Sequence, residues 1–313
     1  MILSASRRTD IPTYYAEWLL NRLNEGFVFV RNPMNANQVS RIPINPDVVD
    51  CIVFWSKNPR PLMPYLDRID AFGYPYYFQF TLTPYDQTIE RNLPPKAEIE
   101  ETFTELSQRI GKERMVWRYD PIFISSEWTV ERHAETFEAM AERLAPYADE
   151  CIISFIDSYR SAVRRMGHRI DGGVAPETMW TIAGRFAKVA QKHDLPINTC
   201  AEEIELEQLG VGHASCIDRD RIERLLGVPL SDKVKADRQR AHCGCVECID
   251  IGAYDTCQNG CLYCYATASD EKAKRSCEAH DPNSALLIGD SNAVGRVAER
   301  KVERFREDQM RLW

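Results

Sequence analysis

The sequence predicts an α/β fold: a full or partial (β/α) TIM-type barrel over residues 1–205, with a cysteine-rich, cluster-binding and helical extension over 206–313 packed on it. Three observations carry that expectation. Short apolar, β-branched or aromatic runs alternate with longer segments of helical period, the pattern of parallel strands joined by crossover helices. The strand count falls a little under eight before residue 205, which favours a barrel over an open sheet. Seven of the eleven cysteines crowd between residues 216 and 264, a concentration that random scatter does not produce.

Taken in order, the first strand is expected at Ile2–Ala5 and the first helix at Tyr14–Leu23, where Tyr15, Leu19 and Leu23 repeat at i, i+4. Strands follow at Phe27–Val30, Cys51–Trp55, Tyr76–Leu82, Met115–Trp117, Cys151–Phe155 and Ile197–Thr199. Helices are expected at Pro61–Ile69, Lys96–Ile110, Val130–Leu144 and Pro176–His193. Beyond residue 205 the pattern changes to a polar helix–turn–helix stretch over 206–240, with Ile222, Leu225 and Leu226 apolar. The cysteine segment 243–264 comes next, and the charged tail ends in an expected amphipathic packing helix at Val294–Met310.

A recurrence marks several strand ends, where a cation is followed closely by proline: Arg31-Asn32-Pro33, Lys57-Asn58-Pro59 and Arg118-Tyr119-Asp120-Pro121. Proline cannot donate to a sheet ladder, so it is expected to stop the strand and begin a loop. In a (β/α) barrel such loops form the catalytic mouth. Arg7, Arg8 and Asp10, then Thr83, Asp157, Arg160 and Glu202, take equivalent places. The catalytic candidates are Arg7, Arg8, Asp10, Lys57, Arg118 and Asp120, with Asn58 and Glu202 as cofactor-binding candidates. A ring of cations in an acidic chain points to an anionic small-molecule substrate, and Arg118 suits a bidentate grip. The bland reading is that these are solvated loop residues.

The net charge of −8 argues against broad nucleic-acid binding and against an anionic membrane surface. No apolar run approaches the roughly 20 residues of a membrane helix. Met1–Ser6 is too short for a signal peptide and is followed at once by Arg7 and Arg8, so a cytoplasmic protein is expected. Cysteines in that compartment point to metal rather than to disulfides. Walker, G-x-G-x-x-G, H-E-x-x-H and G-x-S-x-G motifs are missing, and the six histidines form no ligand pair at helical spacing.

The chemistry-bearing motif is Thr256-Cys-Gln-Asn-Gly-Cys-Leu-Tyr-Cys-Tyr-Ala266, in which Cys257, Cys261 and Cys264 stand at C-x-x-x-C-x-x-C spacing. Three thiolates are one short of the four that close a zinc or iron–sulfur site, so a cubane held by them keeps one iron open. Spacing, cysteine number and the aromatic Tyr263 before the last cysteine resemble the cluster motif of radical S-adenosylmethionine (SAM) enzymes. That resemblance implies a 4Fe–4S cluster, SAM chelated at the open iron with Tyr263 near its adenine, a 5′-deoxyadenosyl radical, and an electron donor such as flavodoxin or ferredoxin. The whole chain also resembles a bacterial family known as domain of unknown function 1848. The resemblance rests on Leu3–Pro12, Val30–Asn35, Phe54–Pro59, Phe78–Thr83, Trp117–Pro121, Cys200–Glu202 and Asp250–Ala266; it implies a radical-SAM-like protein but no particular reaction.

Two features depart from the radical SAM pattern. The cysteine loop follows residue 250 instead of the first strand, and the Gly-Gly-Glu run that meets the SAM amino group is missing. Ile249–Gly252 can serve as the strand before the loop, joining the barrel last as in a circular permutation. A second set, Cys200, Cys216, Cys243 and Cys245 with Cys248 nearby, can close a second cluster or bind zinc, with His213 or His242 as substitutes. Its competing reading is that Cys200 and Cys216 are small buried hydrophobes. Cys51, Cys151 and Cys277 are expected to be structural. Two functional readings therefore stand: a radical SAM enzyme acting on an anionic substrate, or a barrel protein whose zinc or iron–sulfur centre is structural or redox.

Overall fold

In the computed structural model, residues 1–157, 159–170, 172–237, 240, 242–291 and 294–307 are described. The chain opens with β1 (Ile2–Ala5), α1 (Ile11–Tyr14) and α2 (Ala16–Glu25). The strands β2 (Phe27–Asn32), β3 (Asn35–Pro43) and β4 (Cys51–Ser56) precede α3 (Leu66–Ala71) and β5 (Tyr76–Thr81). After α4 (Lys96–Ile110) come β6 (Met115–Ile122), α5 (Val130–Leu144), β7 (Glu150–Phe155), α6 (Arg160–Met166), α7 (Pro176–Lys192) and β8 (Ile197–Cys200). The remainder contributes β9 (Gly212–Ala214), α8 (Arg219–Leu226), β10 (Cys248–Asp250), α9 (Asp270–Glu278) and β11 (Val297–Glu299).

Eight strands form one all-parallel sheet in the order β10-β1-β4-β5-β6-β7-β8-β9. Parallel strands need both faces covered, which is why β4 reads as an apolar run and β5 is interrupted only by the buried Gln79. One face packs on the helices: Trp117 of β6 stacks on Phe137 of α5, whose ring stacks on Phe186 of α7 at 3.9 Å. The opposite face gathers Ile2, Val53, Tyr77, Val116 and Ile152 around Cys216, Ile217, Cys245 and Val246. No ladder joins the edge strands β9 and β10 among the described pairings. A backbone hydrogen bond from Val246 N to Ile217 O (3.1 Å) spans the segments flanking them.

Helix ends follow local chemistry. Thr129 and Asp218 cap α5 and α8 through side-chain oxygens that accept from Arg132 N and Arg221 N, and Pro176 occupies the first turn of α7. Buried Arg221 on α8 binds Asp149 and Glu150 at the start of β7 (2.6 and 2.5 Å), fixing α8 under the sheet.

Several expectations need correction. Phe27–Val30 is a strand, but it lies in a separate three-stranded sheet of order β11-β3-β2, so Arg31 is not at the mouth of the main sheet. Pro121 does not end β6, because the strand accommodates it at a register irregularity between Tyr119 and Ile122. The expected boundary at residue 205 falls inside the main sheet, since β9 and β10 lie beyond it. Within 206–240 the described helices are the 3₁₀ turn Glu207–Leu209 and α8, with β9 between them. The tail over 294–307 is extended around β11, which pairs with β3, and residues 308–310 of the expected helix lie outside the described residues. Among the described residues no helix is long and apolar enough to cross a membrane.

The stacked Phe137 ring, fully buried between Trp117 and Phe186, should be a sensitive reporter of this layer. Phe137→Ala should lower unfolding free energy by about 3–5 kcal/mol, measured by urea denaturation. A loss below about 1 kcal/mol would contradict the packing described.

Candidate active site

All strands of the main sheet run the same way, so the segments following them meet at one face. Arg7 and Asp10 follow β1, Lys57 and Asn58 follow β4, Thr83 follows β5, and Glu202 follows β8. Arg118 lies at the middle of β6 and Asp120 in its C-terminal half. β10 pairs parallel with β1, Ile2 opposite Cys248 and Ser4 opposite Asp250, so the cysteine loop after β10 opens onto that same face.

Asp250 ties this entry together. Its carboxylate accepts from Ser6 Oγ (2.5 Å), Ser4 Oγ (3.2 Å), Arg7 N (2.8 Å) and Gly252 N (3.0 Å). Gly252 is needed for close approach, since a Cβ there would lie 2.1 Å from Ser6 Oγ. The loop then docks on residues 89–92: Leu262 N donates to Ile89 O (3.0 Å), Asn92 N to Asn259 O (3.1 Å) and Asn92 Nδ2 to Gln258 O (2.7 Å). Within it, Cys264 N donates to Cys261 O (3.2 Å). Cys261 is buried, and Cys257 and Cys264 are half-buried. Burial raises the thiols of Cys257 and Cys261, the latter to about 12, and Cys264 adds to both shifts, so the three sulfurs lie within one electrostatic neighbourhood.

The expected site residues are all engaged. Asp10 accepts from Ser56 Oγ (2.7 Å), Lys57 N (2.9 Å), Thr13 N (3.1 Å) and Asn259 Nδ2 (3.1 Å), linking β1, β4 and the cysteine loop. Asn58 serves the local turn: its carbonyl accepts from Thr13 Oγ1 (2.8 Å). Arg8 lies over the Tyr254 ring (5.5 Å) and 3.9 Å from Asp250. Arg7 donates to Asp237 (2.8 Å) and to Cys248 Sγ (3.0 Å). Arg118, buried, donates to Cys216 Sγ (2.9 Å), Gln79 Oε1 (3.2 Å) and Asp120, which also accepts from Ser154. Burial works against ionising Asp120, but Arg118 outweighs it and holds the carboxyl below its ordinary value. Glu202 accepts from Phe155 N (2.8 Å), and burial pushes its carboxyl up to about 7. The Arg160 side chain is outside the described residues.

Every one of Arg7, Arg8, Lys57 and Arg118 therefore has a carboxylate partner. The expected cation ring is a ring of ion pairs. Two buried polar atoms of this region, Thr9 Oγ1 and Trp55 Nε1, have no hydrogen-bond partner among the described residues. The Trp55 ring lies near both guanidinium groups, 5.9 Å from Arg7 and 5.4 Å from Arg118.

Sequence reading missed Glu90. Its fully buried carboxylate accepts from Lys57 Nζ (2.8 Å), Thr83 Oγ1 (2.7 Å), Lys96 Nζ and the hydroxyl of Tyr263. Tyr263 is thus clamped beneath the loop, its ring 5.9 Å from Tyr85. Burial opposes ionisation of Glu90, yet the two lysine charges prevail and hold the carboxyl at about 2. No local signal could have revealed it: Glu90 sits in a polar loop without periodicity, and only folding brings Lys57, Lys96 and Tyr263 to it.

Sulfurs of the second cysteine set touch in pairs. Cys200 and Cys216 sulfurs lie 3.0 Å apart, Cys245 Sγ contacts both Cys216 and Cys243, and Ile217 N donates to Cys245 Sγ (3.3 Å). Cys243, hydrogen-bonded by Cys245, is lowered to about 7. His213 pairs instead with Glu205 (3.2 Å) and His242 with Glu203 (3.7 Å). Cys51 and Cys151 are buried in β4 and β7 as expected of structural thiols. Cys277 contacts Tyr15 Oη (2.9 Å) and Thr256 O (3.3 Å) beside the cysteine loop. Among the described residues, no three His, Cys, Asp or Glu side chains are grouped to hold a single metal ion.

Because Glu90 is depressed in the folded state, its contribution to stability is complete above the ordinary carboxylate range and is lost as pH falls toward about 2. Glu90→Gln, which leaves two partly buried lysines without their counter-charge, should cost about 3 kcal/mol or more at neutral pH. The variant should also show a smaller fall in stability between about pH 4 and pH 2 than the wild type, read by denaturant melts across that range.

Comparison with known proteins adds a family. No curated protein matches the chain. Among solved structures, a protein described as a provisional alpha-L-fucosidase from Bacteroides thetaiotaomicron VPI-5482 aligns at 14% identity over 57% of this chain and 72% of its own. Its TM-score of 0.26 is too low to carry any argument about fold or activity. The family model described as Domain of unknown function (DUF1848) matches residues 2–266, from β1 through the end of the cysteine loop, and the chain belongs to that family.

Proposed function

We propose that the protein is a radical SAM-type iron–sulfur enzyme whose cluster is held by Cys257, Cys261 and Cys264. The observation that carries this reading is the pairing of β10 with β1, which turns the cysteine loop onto the C-terminal face of a parallel α/β sheet, beside Asp10, Lys57 and Glu90. That is the face on which ligands of such sheets bind. The donor set suits the group: three thiolates from one short loop, with the remaining polar groups of the loop tied to the protein. When bound, the cluster would supply a low-potential electron and an open iron for the amino-acid end of SAM, allowing its reductive cleavage.

This chain's own residues have separate tasks in that reading. Glu90, Lys57 and Lys96 hold Tyr263, and with it the cysteine loop, against the sheet. Asp10 fixes Asn259 between the first two cysteines. Tyr265 donates to Arg7 O (2.6 Å), closing the loop over the end of β1. The Gly-Gly-Glu run is missing, so the methionyl ammonium and carboxylate of SAM require other partners. The paired groups at the mouth offer charges of both signs, and Thr9 Oγ1 and Trp55 Nε1, buried beside them, have no hydrogen-bond partner among the described residues. With the cations paired, a zwitterionic or polar ligand suits this mouth better than a simple anion.

Protein prepared without oxygen should be brown. After chemical reduction it should cleave SAM to 5′-deoxyadenosine, measured by chromatography. Replacing Cys257, Cys261 and Cys264 together by alanine should abolish cleavage and remove one cluster's iron, with the far-ultraviolet circular dichroism retained. Stoichiometric zinc with negligible iron after anaerobic reconstitution would overturn the reading.

A further inference from the structure

The edges of the main sheet, β9 at one end and β10 at the other, share no ladder among the described residues, yet thiols from both sides meet. Cys200 ends β8, Cys216 follows β9 by two residues, and Cys243 and Cys245 lie just before β10. Their sulfurs form a continuous series of contacts, Cys200 to Cys216 at 3.0 Å, then Cys216 to Cys245 and Cys245 to Cys243. We propose that these four cysteines, which touch in pairs rather than around one point, rotate to close a thiolate metal centre that clasps the two edges of the sheet together, distinct from the Cys257–Cys264 loop and independent of its reading.

Three further observations support a metal-binding role over four buried hydrophobic thiols. Two donors point at the sulfurs, Arg118 Nη1 at Cys216 (2.9 Å) and Ile217 N at Cys245 (3.3 Å), the kind of outer hydrogen bond that orients and stabilises a ligating thiolate. Gly244 permits the approach of the two strand-edge segments: a Cβ there would lie 2.6 Å from Ser215 Oγ, beside Cys216. And among the described residues the backbone hydrogen bond Val246 N to Ile217 O brings the two edge segments together, so a cross-link would supply what a ladder does not. Four thiolates close a tetrahedral zinc site or a fully ligated 4Fe–4S cluster, and both share this donor chemistry. Metal release should therefore loosen both edges, since binding energy at such a site is also folding energy.

The test uses the full chain carrying Cys257→Ala, Cys261→Ala and Cys264→Ala, so that failure of the first loop cannot be confused with failure of this site. Reconstituted anaerobically, once with zinc and once with iron and sulfide, it should retain one centre per chain. Colourless protein with one zinc, or brown protein with iron and labile sulfide, identifies which. X-ray absorption should show sulfur ligands at about 2.3 Å. Adding Cys216→Ser and Cys245→Ser should remove that metal and speed amide exchange at least tenfold in β9 and β10, with β5 and β6 unchanged. Should those buried substitutions prevent folding, Cys243→Ser, at a half-buried position, should still lower metal retention under a competing chelator at least tenfold. No retained metal in either reconstitution, metal unaffected by these substitutions, or exchange at β9 and β10 insensitive to metal would each overturn the proposal.

Discussion

The parallel pairing of β10 with β1 is the constraint on which the rest of the site depends. A strand contributed after residue 245 is inserted beside the first strand of the chain, and Asp250 locks it there through bonds to Ser4, Ser6, Arg7 and Gly252. Had β10 run antiparallel, the cysteine loop would leave from the opposite end of the sheet, away from Lys57, Arg118 and Glu202. A late strand beside the first also resolves the odd position of the motif in the chain. The loop follows a strand of the sheet in space, although that strand is the last of the eight in sequence.

Charge neutralisation is the second organising principle. Buried charges are tolerated only when paired and hydrogen-bonded, and the mouth obeys this throughout: Lys57 and Lys96 with Glu90, Arg118 with Asp120, Arg7 with Asp237. The cations that suggested anion binding in the sequence are thus part of the architecture. The Glu90 cluster holds the loop from below by way of Tyr263, while Tyr265 reaches the backbone of Arg7 from the other side. Successive aromatics on either side of Cys264 are used to set its position.

Much of the fold was legible because parallel α/β segments advertise themselves locally. Ile2–Ala5, Lys96–Ile110 and Val130–Leu144 coincide with β1, α4 and α5, where apolar runs or helical periodicity are unbroken. The failures have specific causes. Phe27–Val30 has the composition of any strand, and nothing in it specifies which sheet it joins. The tail over 294–310 has an amphipathic period, but β3 offers an edge that β11 takes instead. Three-residue strands such as β9 and β10 are too short for any period to show.

The sequence by itself determined the alternation of strands and helices, the three-cysteine loop and the grouping of Cys200, Cys216, Cys243 and Cys245 as candidate ligands, because these depend on residue type and spacing along the chain. Tertiary structure alone decided which strands are neighbours, that the cysteine loop faces the ends of β1, β4 and β6, and that each mouth cation has a carboxylate partner. Glu90 and Asp250 acquired their roles only there. Their partners lie far along the chain, from Lys57 to Tyr263 and from Ser4 to Gly252, and a hydrogen bond between distant residues leaves no trace in local pattern.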